Sequence, residues 1–133
     1  MGLSDEERQA IVDYRVERAQ RSFEEAKNVM DMKMWSLLAN RLYYTLYYIS
    51  MAILIKDGYG SKTHSGMIAL IHQHYVKTGI LTTEEGRLIK KLFDLRQESD
   101  YDDFVYVDET EIKPFVPKVE ALMYKLIEII KMK

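Results

Sequence analysis

An arginine that precedes a cluster of acids and a tyrosine points to chemistry through residue type and spacing. The stretch is LRQESDYDDF, residues 95–104. Arg96 supplies a planar fork of donors suited to a carboxylate or a phosphate. Glu98, Asp100, Asp102 and Asp103 supply carboxylates, and Tyr101 supplies a phenol. Three readings fit: a catalytic string, an arginine tied into a structural ion-pair network, or a solvated loop. Counting back from Arg96 by threes and fours gives Phe93, Leu92, Ile89 and Leu88. The arginine thus continues the edge of an apolar helical stripe and is expected to project into a groove between helices. Asp100 lies within its reach if that helix runs one more turn, and Glu98 and Asp102 are further partners.

Other candidates are weaker. Asn40 and Arg41 sit inside the most apolar segment of the chain. An arginine there needs a carboxylate or ligand beside it, so either the pair faces a polar groove or Arg41 lies on the one wet strip of its helix. His72 and His74 are two apart, so a helix turns them to opposite sides. His64 falls in or beside a loop, and no Glu-x-x-His occurs. A metal or other cofactor is not expected. Tyr43, Tyr44, Tyr47 and Tyr48 resemble a base-stacking platform, but helical spacing favours packing in a core or dimer interface.

These residues must be positioned by helices. Ser4-Asp-Glu-Glu7 is a capping box, and the stripe Ile11, Tyr14 or Arg15, Arg18 or Ala19, Phe23, Ala26, Met30 predicts a helix over about 5–32. Residues 34–56 are apolar around nearly the whole girth, as expected of a central helix. DGYGSKTHSG, 57–66, predicts a loop. A short helix follows over 67–76, closed by Lys77-Thr78-Gly79. Thr82-Thr-Glu-Glu85 caps a helix to about Glu98, an acidic loop spans 99–109, and a last helix spans about 110–131. Pro114 and Pro117 either bend that helix or delay its start. No strand-like alternation appears. The reading is all-α: an up-and-down bundle of four to five helices in a single domain, 1–133.

Bulk properties limit the function. At 133 residues, 47% hydrophobic and 30% charged, the chain suits a globular domain. Its net charge of -2 gives no electrostatic push towards RNA or DNA. It has no cysteine, which removes disulfides and thiolate chemistry and suits the cytoplasm. The apolar run YYISMAILI falls short of the roughly 20 residues of a membrane span. MGLSDEERQ does not read as a secretory leader, and Glu6 stands where a myristoylation signal wants Ser or Thr.

LANRLYYTLYYISMAIL, then SKTHSGM, HYVKTGIL and LFDLRQESDYDDF, together resemble the HEPN superfamily of small prokaryotic helical domains. The likeness is greatest to the stand-alone branch often encoded beside a minimal nucleotidyltransferase as toxin and antitoxin. The resemblance implies a helical bundle, usually dimeric. Many members carry an arginine, four to six variable residues and a histidine, and cut RNA without a metal across the dimer. Others lack the histidine and serve as binding or partner modules. Arg96 matches the arginine, and Tyr101 stands where the histidine would be. Asn40 matches the polar position that faces the motif, and Arg41 and Tyr44 adjoin it. Thr63 and His64 match the shared loop. In related systems the transferase modifies a tyrosine near the motif, which marks Tyr101 or Tyr106.

A general base works best with a pKa near working pH. A tyrosine near 10 is ionised about one part in a thousand at pH 7, and surrounding acids raise it further and repel phosphate. The expectation is therefore a non-catalytic or degenerate module, homodimeric and partnered with a nucleotidyltransferase. The alternatives are a metal-independent RNase or RNA-binding toxin using Arg96, Tyr101 and Asn40, and a nucleotide-binding module with its groove at Asn40, Arg41, Tyr44, Arg96, Asp100 and Tyr101.

Overall fold

The computed structural model describes residues 2–101 and 107–133, with the backbone alone for 97–101. Its order is α1 (Asp5–Asp31), α2 (Trp35–Lys56), α3 (His64–Ile71) running into a π turn (His72–Val76), α4 (Thr83–Tyr101), a single turn α5 (Glu109–Ile112), and α6 (Phe115–Lys131). The described residues are helical with no strand, as the sequence pattern predicts.

α1 starts at the expected capping box. Ser4 Oγ accepts the Glu7 N–H at 3.0 Å, and Glu7 Oε1 accepts the Ser4 N–H at 2.9 Å. Its buried stripe differs from the expected one. Val12, Ala19, Ser22, Phe23, Ala26 and Val29 face inward, whereas Tyr14 is 59% exposed. The small residues at 19, 22 and 26 let α1 lie close along α2. The two run antiparallel: Arg8 donates to the Ile55 carbonyl, Arg15 to that of Met51, and Arg41 of α2 reaches back to Glu25. The turn between them spans Met32–Met34, with Lys33 in the left-handed region at φ 58°.

α2 is buried on most sides, from Leu38 and Ala39 through Leu54. It packs on α1, α3, α4, α5 and α6 and is the axis of the bundle. The expected loop over 57–66 ends earlier than its glycines suggest. Thr63 caps α3 by accepting the Gly66 N–H at 2.9 Å, so His64 is already the first helical residue.

The helix expected over 67–76 changes to a π turn at His72, and Gly79, at φ 82°, ends the segment. Thr82 and Glu85 form the second capping box. α4 then runs to Tyr101 rather than stopping at Glu98, because its stripe of Ile89, Leu92 and Arg96 stays against α2. The expected loop over 99–109 is corrected accordingly: 99–101 are helical. Pro114 splits the last helical segment into α5 and α6, being the N-cap of α6. Pro117 falls in the first turn of α6, where a missing N–H costs nothing. The helical segment thus starts at Glu109, close to the expected point, and is interrupted at Pro114.

Gly86 of α4 is buried against the π turn. A Cβ there would lie 2.8 Å from Val76 Cγ2 and 3.0 Å from His72 Cε1. Gly86→Ala gains about 1 kcal/mol of helix propensity. It also forces a stiff β-branched neighbour to move, at about 1–3 kcal/mol. The expected result is a net fall in melting temperature of a few degrees, read by thermal unfolding.

Candidate functional site

The residues singled out by sequence gather where α2, α3 and α4 meet. Tyr43 is the hub. It has no exposed surface, and its hydroxyl lies 2.5 Å from His64 Nδ1. Tyr47 and Phe93 pack on the same imidazole, with ring centroids 4.8 and 6.1 Å away. His64 is held here by the Thr63 cap directly before it. That cap also explains the glycine in THSG, since a Cβ on Gly66 would lie 2.8 Å from Thr63 Oγ1. Thr63 is therefore a structural cap.

Arg96 enters from α4. It is 8% exposed. Its guanidinium stands over the Tyr43 ring at 5.3 Å and the Tyr44 ring at 5.6 Å, and Nη1 donates to the Tyr44 hydroxyl at 3.3 Å. Arg41 stands over the same Tyr44 ring at 5.4 Å. Arg41 also donates from Nε and Nη2 to Asn40 Oδ1, at 3.0 and 2.6 Å, and from Nη1 to Glu25 at 3.1 Å. One tyrosine thus sits between two guanidiniums, each contact being worth about 0.5–2 kcal/mol. Asn40, Arg41, Tyr44, His64 and Arg96 lie together in one constellation. Arg41 is paired with Glu25 and lies beside Tyr44. The side chains of Glu98, Asp100 and Tyr101, and residues Asp102, Asp103 and Tyr106, lie outside the described residues.

Protonation follows from burial. Burial pushes the Tyr43 phenol well above the usual tyrosine range, so it stays neutral. The neutral phenol and His64 Nδ1 share a hydrogen bond whose direction follows the imidazole tautomer. Nε2 makes no hydrogen bond to a described residue. Burial, and then the charge of Arg96, hold the His64 pKa below its usual value. At neutral pH the ring is neutral, with Nδ1 engaged by Tyr43. Of the other histidines, His74 stacks on Tyr59 with centroids 3.9 Å apart, and His72 packs beside Gly86. Among the described residues no three His, Asp or Glu side chains gather closely enough to hold a metal ion. No described helix is long and apolar enough to cross a membrane.

The HEPN domain model matches residues 12–130, nearly the whole bundle and all the residues of this constellation. The chain belongs to the HEPN family. It is also 31% identical over 128 residues to a UPF0332 protein of Thermotoga maritima, covering 94% of this chain and 97% of that one. Two proteins of Methanocaldococcus jannaschii, each named "Putative toxin", are 26% identical over 110 residues and 28% identical over 120 residues. These matches cover 83% and 90% of this chain and 75% and 81% of the relatives. Within this HEPN chain, sequence reasoning missed Tyr43 as the hub. It looked like one of four equivalent tyrosines, and its partner His64 lies 21 positions away.

The histidine predicts a pH dependence. Its folded pKa lies below the unfolded value of about 6.5, so the unfolded state binds the extra proton first. Stability from this group is complete above about pH 6.5 and is lost as pH falls through the depressed folded pKa. In His64→Gln that slope should disappear, with little change above pH 7. Urea denaturation at a series of pH values reads it.

Proposed function

We propose that this HEPN protein is a non-catalytic or degenerate module that works as a homodimer. We further propose that it is the toxin-type member of a two-protein system whose other member is a nucleotidyltransferase. The observation that carries the reading is the double engagement at Tyr43 and Tyr44. The arginine matching the family motif is turned inward over both rings, and the nearest imidazole is hydrogen-bonded to Tyr43. Tyr101, in place of the motif histidine, supports it further. The names of the Methanocaldococcus relatives favour the toxin side of such a pair.

A dimer is supported by the strip along α2 where Tyr44, Tyr47 and Tyr48 are only half-buried, flanked by Arg18 and Arg41. Tyrosine and arginine are the residue types that anchor protein interfaces. Light scattering on the purified chain should give the mass of a dimer. Tyr47→Glu, with unchanged helicity, should shift it to a monomer.

The partner and the chemistry are tested together. Co-expression with the adjacent gene product should yield a stable complex, and intact mass should show whether the transferase adds a group to this chain. No complex and no added mass would remove the partner reading. Purified dimer should leave RNA intact at low salt. Arg96→Ala should cost about 1–3 kcal/mol of stability without removing any turnover. RNA cleavage that vanishes in Arg96→Ala would instead establish the RNase reading, and stabilisation by nucleotides in a thermal-shift series would establish the nucleotide-binding one.

A further inference from the structure

α4 and α6 both lie against α2 but, among the described residues, scarcely approach each other. They run antiparallel. Lys125 of α6 pairs with Glu85 of α4 at 2.8 Å at one end. At the other, Lys91 of α4 and Lys118 of α6 converge on the Phe115 ring, at 5.7 and 5.9 Å. Between them runs an open trough of about 630 Å³. Its α4 wall extends from Thr82 to Lys91, about 14 Å along the helix axis. Leu88, Phe115, Ala121 and Leu122 make it mostly apolar.

The rim is selective in charge. Lys27, Lys90, Lys113, Lys125, Lys131 and Lys133 all have carboxylate partners. Arg87, Lys91 and Lys118, which face the trough, make no ion pair among the described residues. The lining also holds Glu85, which Lys125 neutralises, and Glu84, which makes no ion pair among the described residues. In a chain of net charge -2, three unpaired cations against one unpaired carboxylate around an apolar trough favour an acidic occupant.

Shape narrows the occupant further. A small anion needs converging donors, but the Thr82 and Glu85 amides at the start of α4 are engaged by their capping box. The lysine ammoniums are spread over the Phe115 ring. A drug-sized ligand is normally buried on most of its surface, and this trough is open along its length. Two antiparallel helices on a shared base leave the seat of a further helix.

We infer that the α4–α6 trough is a docking surface for an amphipathic helix of a partner protein, with an apolar stripe flanked by glutamates or aspartates. This deepens the partner reading above and rests on it for biological meaning, but its test does not need the partner.

The probe is a synthetic helical peptide of about 14 residues, three to four turns, with a leucine stripe and glutamate flanks. Its control keeps the stripe and carries lysine flanks. NMR titration of the full chain with the acidic peptide should shift amides over 84–91 and 115–122, and the lysine peptide should not. Lys91→Glu with Lys118→Glu, both exposed positions, should weaken binding at least about tenfold while circular dichroism stays unchanged. Shifts elsewhere, equal response to both peptides, or stronger shifts at the same amides from AMP or a short RNA would overturn the inference. So would a partner complex that forms as tightly with the double variant. Absence of any co-purifying protein would count against the partner reading alone, leaving the peptide result to decide the trough.

Discussion

A helix that is apolar around most of its girth must be surrounded before it is stable in water, and α2 is such a helix. Every other element can be understood as a cover for it. α1 closes one side through small residues that let two backbones approach. α4 and α6 close others, and α3 covers the end of α4's span. The cover is incomplete along one strip, where α2 presents Asn40, Arg41, Tyr44, Tyr47 and Tyr48. Tyrosine suits such a boundary because its ring is buried while its hydroxyl still finds a partner. The strip then attracts cations. Arg18 lies over Tyr48, Arg41 over Tyr44, and Arg96 over Tyr43 and Tyr44.

That demand explains why the signature arginine is held inside. Leaving Arg96 in water would uncover the rings of Tyr43 and Tyr44. Burying it puts a permanent charge in a site where π faces and a hydroxyl compensate. The same charge bears on His64, whose pKa falls mainly through burial and further through Arg96. Tyr43 therefore couples the two residues that chemistry would most need. It bonds the histidine with its hydroxyl and carries the arginine on its face. The arrangement is self-consistent as packing.

Much of this was legible in the chain. The capping boxes at Ser4 and Thr82 mark two helix starts because each needs only residues three apart. The girth of α2 and the position of Arg96 on a buried stripe follow from periodicity. The misses have physical causes. A reading that looks for large apolar residues favours Ile11 and Tyr14 over Val12 and Ser22, but close helix pairing rewards small side chains. The glycines of DGYGSKTHSG suggest a loop throughout, although Thr63 already supplies a helix cap. The Tyr43–His64 bond joins residues on different elements, so no local spacing encodes it. The end of α4 is set by continued packing of Arg96's stripe on α2, a tertiary effect that outweighs the acidic composition of 98–103.

α4 shows how one helix can use cations in two opposed ways. Ile89, Leu92 and Arg96 follow each other at intervals of three and four along the face against α2. Glu84, Arg87, Leu88 and Lys91 line the trough beside α6. On the first face the charge is compensated by aromatic rings of the same chain and stays put. On the second, Arg87 and Lys91, with Lys118 of α6, edge an apolar floor beside a single carboxylate unpaired among the described residues, Glu84, while Glu85 is held by Lys125. An apolar surface edged by charged side chains is stable in water, because the long side chains lie over the floor while their heads remain solvated. It is also a surface that discriminates, since a neutral or basic helix gains only the apolar contact and an acidic one gains both. The two faces therefore separate their tasks: one fixes the HEPN bundle around α2, and the other is left with the charge pattern a partner helix can read.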